Sequence, residues 1–154
     1  MTLELLEGAV DAVADYIEAN MAAKVVTLNT RYADTLLTAP VNYYRGSLPI
    51  STPESVSVVF HAEDWTPGDQ RVANLQSVNN IVIVIFVGDD NVENRFRKLC
   101  RYGLGITELL RTGESTMGYI IRLRGPMALS EPLNTQPFLQ AMTMPISLHA
   151  METY

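Results

Sequence analysis

The sequence predicts an α+β domain of two layers, a mostly antiparallel sheet packed against two helices, with long loops or arms. Three observations carry that prediction. Two segments repeat apolar residues at intervals of three and four, three segments alternate apolar and polar residues, and the run 81–87 is apolar on both faces.

The first helix spans residues 3–21. Leu3, Leu6, Val10, Val13, Ile17 and Met21 fall on one face, with Glu4, Asp11, Asp15 and Glu18 opposite. Thr2 is placed to accept an unpaired backbone N–H as N-cap. From residue 24 to residue 52 the periodicity dissolves, and "TAPVNYYRGSLPISTP" brings prolines, a glycine and two adjacent tyrosines. This stretch reads as a long arm with a short strand near 41–44. Arms of that length in compact domains commonly serve binding.

"SVSVVFHA" places Val56, Val58, Phe60 and Ala62 on one strand face and Ser55, Ser57, Val59 and His61 on the other. The polar stretch 63–80, with Pro67-Gly68, is too long for a tight turn and reads as a loop. Residues 81–87 then form a central strand covered on both sides. The second helix runs over 92–110, with Val92, Phe96, Leu99, Gly103, Ile106 and Leu110 as its stripe. Gly103 and Gly105 weaken it by about 1 kcal/mol each, and mark either a break or a close approach by a neighbour. "YIIRLRG" and "AMTMPISLHA" supply the last strands, with Met142, Met144, Ile146 and Leu148 sharing a face. Pro145 lacks the N–H of a central ladder and points to an edge or a bulge.

Residues 1–154 form one domain on this reading, large enough for a core at 47% hydrophobic residues. A net charge of −6 leaves no global basic field for nucleic acid. No apolar run reaches membrane-spanning length, and the acidic start does not resemble a secretory signal. A soluble protein made in the cytoplasm is therefore expected. One cysteine, Cys100, rules out an internal disulfide or a multi-cysteine metal site.

The acids Asp89 and Asp90, at the end of an apolar strand, are the first candidates for chemistry. Asp90 and Glu93 have the spacing of a capping box, and Gly88 supplies the turn. Acids in a first turn also favour the helix dipole. No partner acid or histidine motif accompanies them, so the reading is a helix start. The histidines, His61 and His149, sit on polar strand faces without ligand spacing, and Cys100 beside Leu99 reads as a buried thiol. "RTGEST" lacks the ending of a phosphate loop, and no Gly-x-Ser-x-Gly elbow is present. No catalytic residue, cofactor or metal is expected. The basic run "RFRKLCR" reads as a solvated helical face, or else as a contact with an acidic neighbour or with phosphates, though no aromatic interleaving favours nucleic acid. Tyr43, Tyr44 and Arg45 in the arm, Trp65 and Arg71 in the loop, and Arg97, Lys98 and Arg101 on the second helix are the interface candidates, since Tyr, Trp and Arg dominate interface hot spots.

The order of elements resembles the tail terminator (tail completion) proteins of long-tailed bacteriophages. The helix 3–21, the strand 81–87, the helix 92–110 and the alternating strand 142–148 carry the resemblance, as a pattern of elements rather than a signature motif. The long stretch 24–52 departs from the most compact members. The resemblance implies a virion protein that closes into a hexameric ring at the head-proximal end of the tail tube. Its partners would be the tail tube protein on one face and a head-side connector or stopper on the other. DNA would pass through the lumen without specific binding, and no membrane is involved. A different head–tail connector or neck adaptor has similar elements. A small ligand-binding or metal-dependent enzyme domain using Asp89 and Asp90 is the reading from another class.

Overall fold

The computed structural model describes residues 5–47, 55–66, 74–131 and 138–153. The elements are α1 (Leu5–Arg31), β1 (Asn42–Gly46), β2 (Ser57–Thr66), β3 (Asn74–Gly88), α2 (Val92–Met117), β4 (Ile120–Leu123), β5 (Ala128–Leu129) and β6 (Leu139–Thr153). The sheet order is β1-β2-β3-β6-β4, with β5 also on β6. All pairings are antiparallel except β1 with β2. Both helices pack on one face of the sheet, so the expected two-layer α+β class is what forms.

β3 is the central strand. Ile81, Ile83, Ile85 and Val87 face the helices together with Val58, Phe60, Met142, Met144, Ile146 and Leu148, all buried. On the opposite face Val84 and Phe86 join Val59, Leu139 and Ala141 in a smaller cluster, with Tyr44 and Val82 packed against it. The double-sided apolar pattern of 81–87 thus reflects a helix layer on one side and a local cluster on the other. The strand also begins earlier than expected. Much of the polar stretch 63–80 is strand rather than loop, since β2 continues to Thr66 and β3 starts at Asn74. A bulge between Ala62 and Asp64 absorbs one extra residue. Ladder hydrogen bonds hold backbone whatever the side chains are, so a polar strand leaves no apolar trace.

The arm is shorter than the expected span 24–52, because α1 runs ten residues past Met21 to Arg31 and buries Val25 and Leu28. Burial here overrides the modest helix propensity of Val25, Val26 and Thr27. No glycine marks the stop. Ala33 takes the left-handed conformation (φ 55°), and Asp34 N–H and Ala33 N–H bond back to the carbonyls of Asn29 and Thr30. Two side chains then pin the chain that follows. Asn29 brackets Leu37 through both its backbone groups, and the Tyr102 hydroxyl does the same at Thr38, donating at 2.6 Å and accepting at 3.0 Å. The short strand foreseen near 41–44 is β1. Thr2 and Leu3 lie outside the described residues.

α2 is unbroken through its glycines and ends at Met117, seven residues beyond the expected limit Leu110, with Gly118 as its left-handed C-cap. The glycines admit neighbouring side chains. A Cβ on Gly113 would lie 2.4 Å from the Tyr16 ring, one on Gly105 2.9 Å from Leu28, and one on Gly103 2.6 Å from the Met142 sulfur. The first two let α1 and α2 approach closely, and the third seats α2 on β6. The buried stripe keeps Leu99, Gly103, Ile106 and Leu110 as expected and adds Arg95, Tyr102 and Leu109, but its first turn differs: Val92 (67% exposed) and Phe96 (53%) face outward, and so does Cys100, expected to be a buried thiol. Arg95 takes the inward place because its guanidinium has partners there, Nε donating to Gln140 of β6 at 3.1 Å. Residues 92, 96 and 100, four apart, then share the outer side.

Pro145 lies on β6, an interior strand, yet the reason for expecting an edge still applies. Its carbonyl accepts from Arg124 N–H, so its ring nitrogen faces the side where β4 has ended and β5 has not begun. The missing donor coincides with the break in the neighbouring strand.

Gly113→Ala gains about 1 kcal/mol of helix propensity but must displace the Tyr16 ring, and overpacking of this kind costs about 1–3 kcal/mol. A net loss of stability is expected in urea unfolding. A more stable variant would contradict the close helix contact.

Candidate functional site

Asp89 and Asp90 lie in the turn from β3 into α2. The N-cap is Asn91, one residue beyond the expected Asp90, and its side chain accepts from Asn94 N–H at 3.0 Å. Glu93 does not close a capping box; it pairs with Arg97. Asp89 accepts from Asn91 N–H at 2.9 Å and from the Lys98 ammonium at 2.9 Å. The Lys98 bond first, and the Asn91 N–H second, hold the Asp89 carboxyl below the usual range. Asp89 thus braces the turn into α2. Among the described residues, no group of three or more His, Cys, Asp or Glu side chains is placed to hold a metal ion.

The basic run on α2 is engaged within the chain. Arg97 pairs with Glu93 and Lys98 with Asp89, while Arg101 meets Asp34 at 2.6 Å and lies 4.1 Å over the Tyr32 ring. Arg101 and Asp34 therefore fasten the arm to α2, and the bond holds the Asp34 carboxyl low. Tyr43, Tyr44 and Arg45 come together on β1, but with different tasks. Tyr43 stacks on Phe60 with ring centroids 6.5 Å apart, and burial first, then Glu18, pushes its hydroxyl up to about 12. Tyr44 points to the opposite sheet face and its small cluster. Arg45 binds three carboxylates of α1, Asp11 at 3.0 Å, Asp15 at 2.6 Å and Glu18 at 3.2 Å. Trp65 is paired through its backbone with Asn79, its side chain lying outside what the structure describes, and Arg71 lies outside the described residues altogether.

The surface features that sequence reasoning missed lie at the two sheet edges. At the β4–β5 edge Ile120, Leu123, Met127 and Leu129 are 40–51% exposed. Beside them a groove runs between α2 and β4, lined by Leu110, Arg111, Glu114, Ile121, Leu123 and Ile146 among others. At the other edge a groove between the first turns of α1 and β1 is lined by Leu6, Glu7, Val10, Asp11, Arg45 and Ala62. The alternation of 119–125 was legible in the sequence. Its position on the rim, half uncovered, depends on how wide the helix layer is. Between the helices Glu108 bridges Lys24 and Arg31, its two oxygens taking the Arg31 fork at 2.7 and 3.1 Å. Those two cations hold the carboxyl down at about 2, Arg31 contributing most.

The architecture is that of a two-layer α+β domain with exposed apolar side chains at its β4–β5 edge and, as Val92 and Phe96, on the outer side of α2. The chain matches no protein-family model and no curated protein. No helix among the described residues is long and apolar enough to cross a membrane.

Two predictions follow from the local chemistry. Asn91→Ala is expected to cost about 1 kcal/mol in chemical denaturation, as the loss of an N-cap does, whereas Asp90→Ala stays within about 0.5 kcal/mol. The reverse order would restore Asp90 as the cap. Glu108 has a folded value near 2 against an ordinary 4.5, so its stabilisation is present above the ordinary value and is lost as pH falls toward 2. The melting temperature of Glu108→Gln should therefore lie below that of the parent at neutral pH and converge on it in acid. Parallel curves across that window would count against the bridge.

Proposed function

We propose that this protein is a structural component of a bacteriophage tail, forming a ring at the head-proximal end of the tail tube, ending tube polymerisation and joining tail to head. It carries no catalysis on this reading. The observation that supports it most is the row of exposed apolar residues Ile120, Leu123, Met127 and Leu129 along one sheet edge. Large apolar side chains gathered on one rim of a small domain mark an association surface. The two-layer α+β class agrees with the fold that the resemblance to tail terminator proteins implies.

A ring needs contacts that repeat by rotation and close, and flat ends that meet other assemblies. One end would meet the last ring of tube protein and the other the head-side connector, while an acidic surface lets DNA pass without holding it. The internal ion pairs of Arg97, Lys98 and Arg101 make that surface of α2 a rigid, charge-balanced one rather than a phosphate-binding patch.

The test is co-expression with a tail tube protein of the same phage. Tubes of uniform length, with this protein on one end in electron micrographs, are expected, along with overlong tubes when it is left out. Tubes of identical length and bare ends in both cases would overturn the reading.

A further inference from the structure

The sheet ends at β4, and the outer backbone of that strand is open. Arg124 N–H donates to the Pro145 carbonyl of β6 at 3.0 Å, so Arg122 also bonds toward β6, while Ile121 and Leu123, one residue out of step, turn their backbone groups away from the sheet. A second contact fixes the same alternation. The Ile121 N–H donates to the Glu114 carboxylate, in the last turn of α2, at 3.2 Å. The Ile121 carbonyl and both backbone groups of Leu123 have no hydrogen bond among the described residues.

The two faces of this edge differ in chemistry. On the helix side lies the groove between α2 and β4, about 190 Å³, floored by Leu110, Ile121, Met144 and Ile146. Met144 and Ile146 are core residues, whereas Leu123 is 51% exposed and forms the open apolar wall. Arg111 and Glu114 stand at its mouth, three residues apart on α2 and opposite in charge, so this side selects for apolar character. On the back of the sheet Arg122 is exposed and in no ion pair among the described residues. The acids of β2 do not reach it, because Glu63 is held by Arg124 at 2.8 Å and Asp64 by the Asn80 amide.

A strand laid along β4 sends successive side chains to opposite faces of the sheet. One set enters the groove against Leu123, and the other passes beside Arg122. We infer that β4 is the acceptor edge for an extended segment of a partner protein in which apolar residues alternate with acidic ones, the apolar set in the groove and an acid on Arg122. Main-chain bonds to Leu123 and Ile121 supply the attachment, and the two faces supply the selection. The edge is interrupted between β4 and β5, so the docked strand is as short as β4 itself. The other edge strand of the chain, β1, reads Asn-Tyr-Tyr-Arg-Gly and brings no acid for Arg122, which favours a different protein over a second copy. The inference goes beyond the ring reading and does not depend on it.

The probes are short fluorescein-labelled peptides, and fluorescence anisotropy with the full chain is the readout. A peptide alternating valine and glutamate is expected to bind, and one with lysine in place of glutamate about tenfold or more weakly. N-methylation of one alternate set of its N–H groups should abolish binding and of the other set leave it, because only one set faces the edge. Arg122→Glu, shown to be folded by circular dichroism, should reverse the preference and bind the lysine peptide better. If that variant fails to fold, Arg122→Gln should bind both peptides alike. Equal binding of the two peptides by the parent, indifference to both methylations, or an unchanged preference in the Arg122 variant would overturn the inference. No binding of the glutamate peptide at millimolar concentration would overturn it too. Self-association in sedimentation velocity that the glutamate peptide does not displace would assign the edge to a second copy and overturn it likewise.

Discussion

The pairing of β3 with β6 is the constraint on which the rest depends. It runs the whole length of both strands, from Asn74 opposite Thr153 to Gly88 opposite Leu139. This register decides which residues share a face. It sets Ile81, Ile83 and Ile85 beside Ile146, Met144 and Met142 under the helices, and Val84 and Phe86 beside Thr143 and Ala141 on the other side. A slip of one residue would turn every apolar side chain of the central row to the wrong face. The pair also determines where α2 begins, because the chain leaves β3 at Gly88 beside the start of β6. There Asp89 N–H bonds to the Phe138 carbonyl.

The helix layer is held by shape first and charge second. Glycines at 105 and 113 bring α2 close to Leu28 and Tyr16 of α1, and Gly103 receives Met142 from the sheet. Close packing of this kind turns small volume changes into whole kilocalories. Around it the ion pairs act as fasteners between elements: Glu108 joins the helices, Arg101 the arm, and Arg45 the edge strand to α1. Each is partly exposed, so each contributes little alone and acts mainly by selecting one arrangement. The aromatic and basic residues that look like contact residues in the sequence are largely engaged inside the subunit in this way.

Tyr43 and Arg45 stabilise β1, and part of the apolar surface left uncovered lies at the β4–β5 rim. Pro145 contributes to the form of that rim. A strand neighbour cannot bond to a proline nitrogen, so the edge is split into β4 and β5 and offers no long, continuous row of free backbone groups. Short, interrupted edges discourage indiscriminate sheet growth.

By itself the sequence determined the two-layer class, the central strand at 81–87, both helices and the inward face of the last strand. Each of these is a periodic pattern, and periodicity is written locally in residue type. Only the tertiary structure decided where the elements stop. α1 continues because Val25 and Leu28 are buried by α2 and the sheet, and it ends at an alanine in a left-handed conformation. The strands reach into polar sequence because ladder bonds are blind to side chains. The outward turn of Val92, Phe96 and Cys100 was equally hidden, since burying Arg95 depends on Gln140, far away in the chain. The same holds for the edges. Ile120 and Leu123 stand half exposed because β4 closes one end of the sheet order, a relation between elements that no local pattern records.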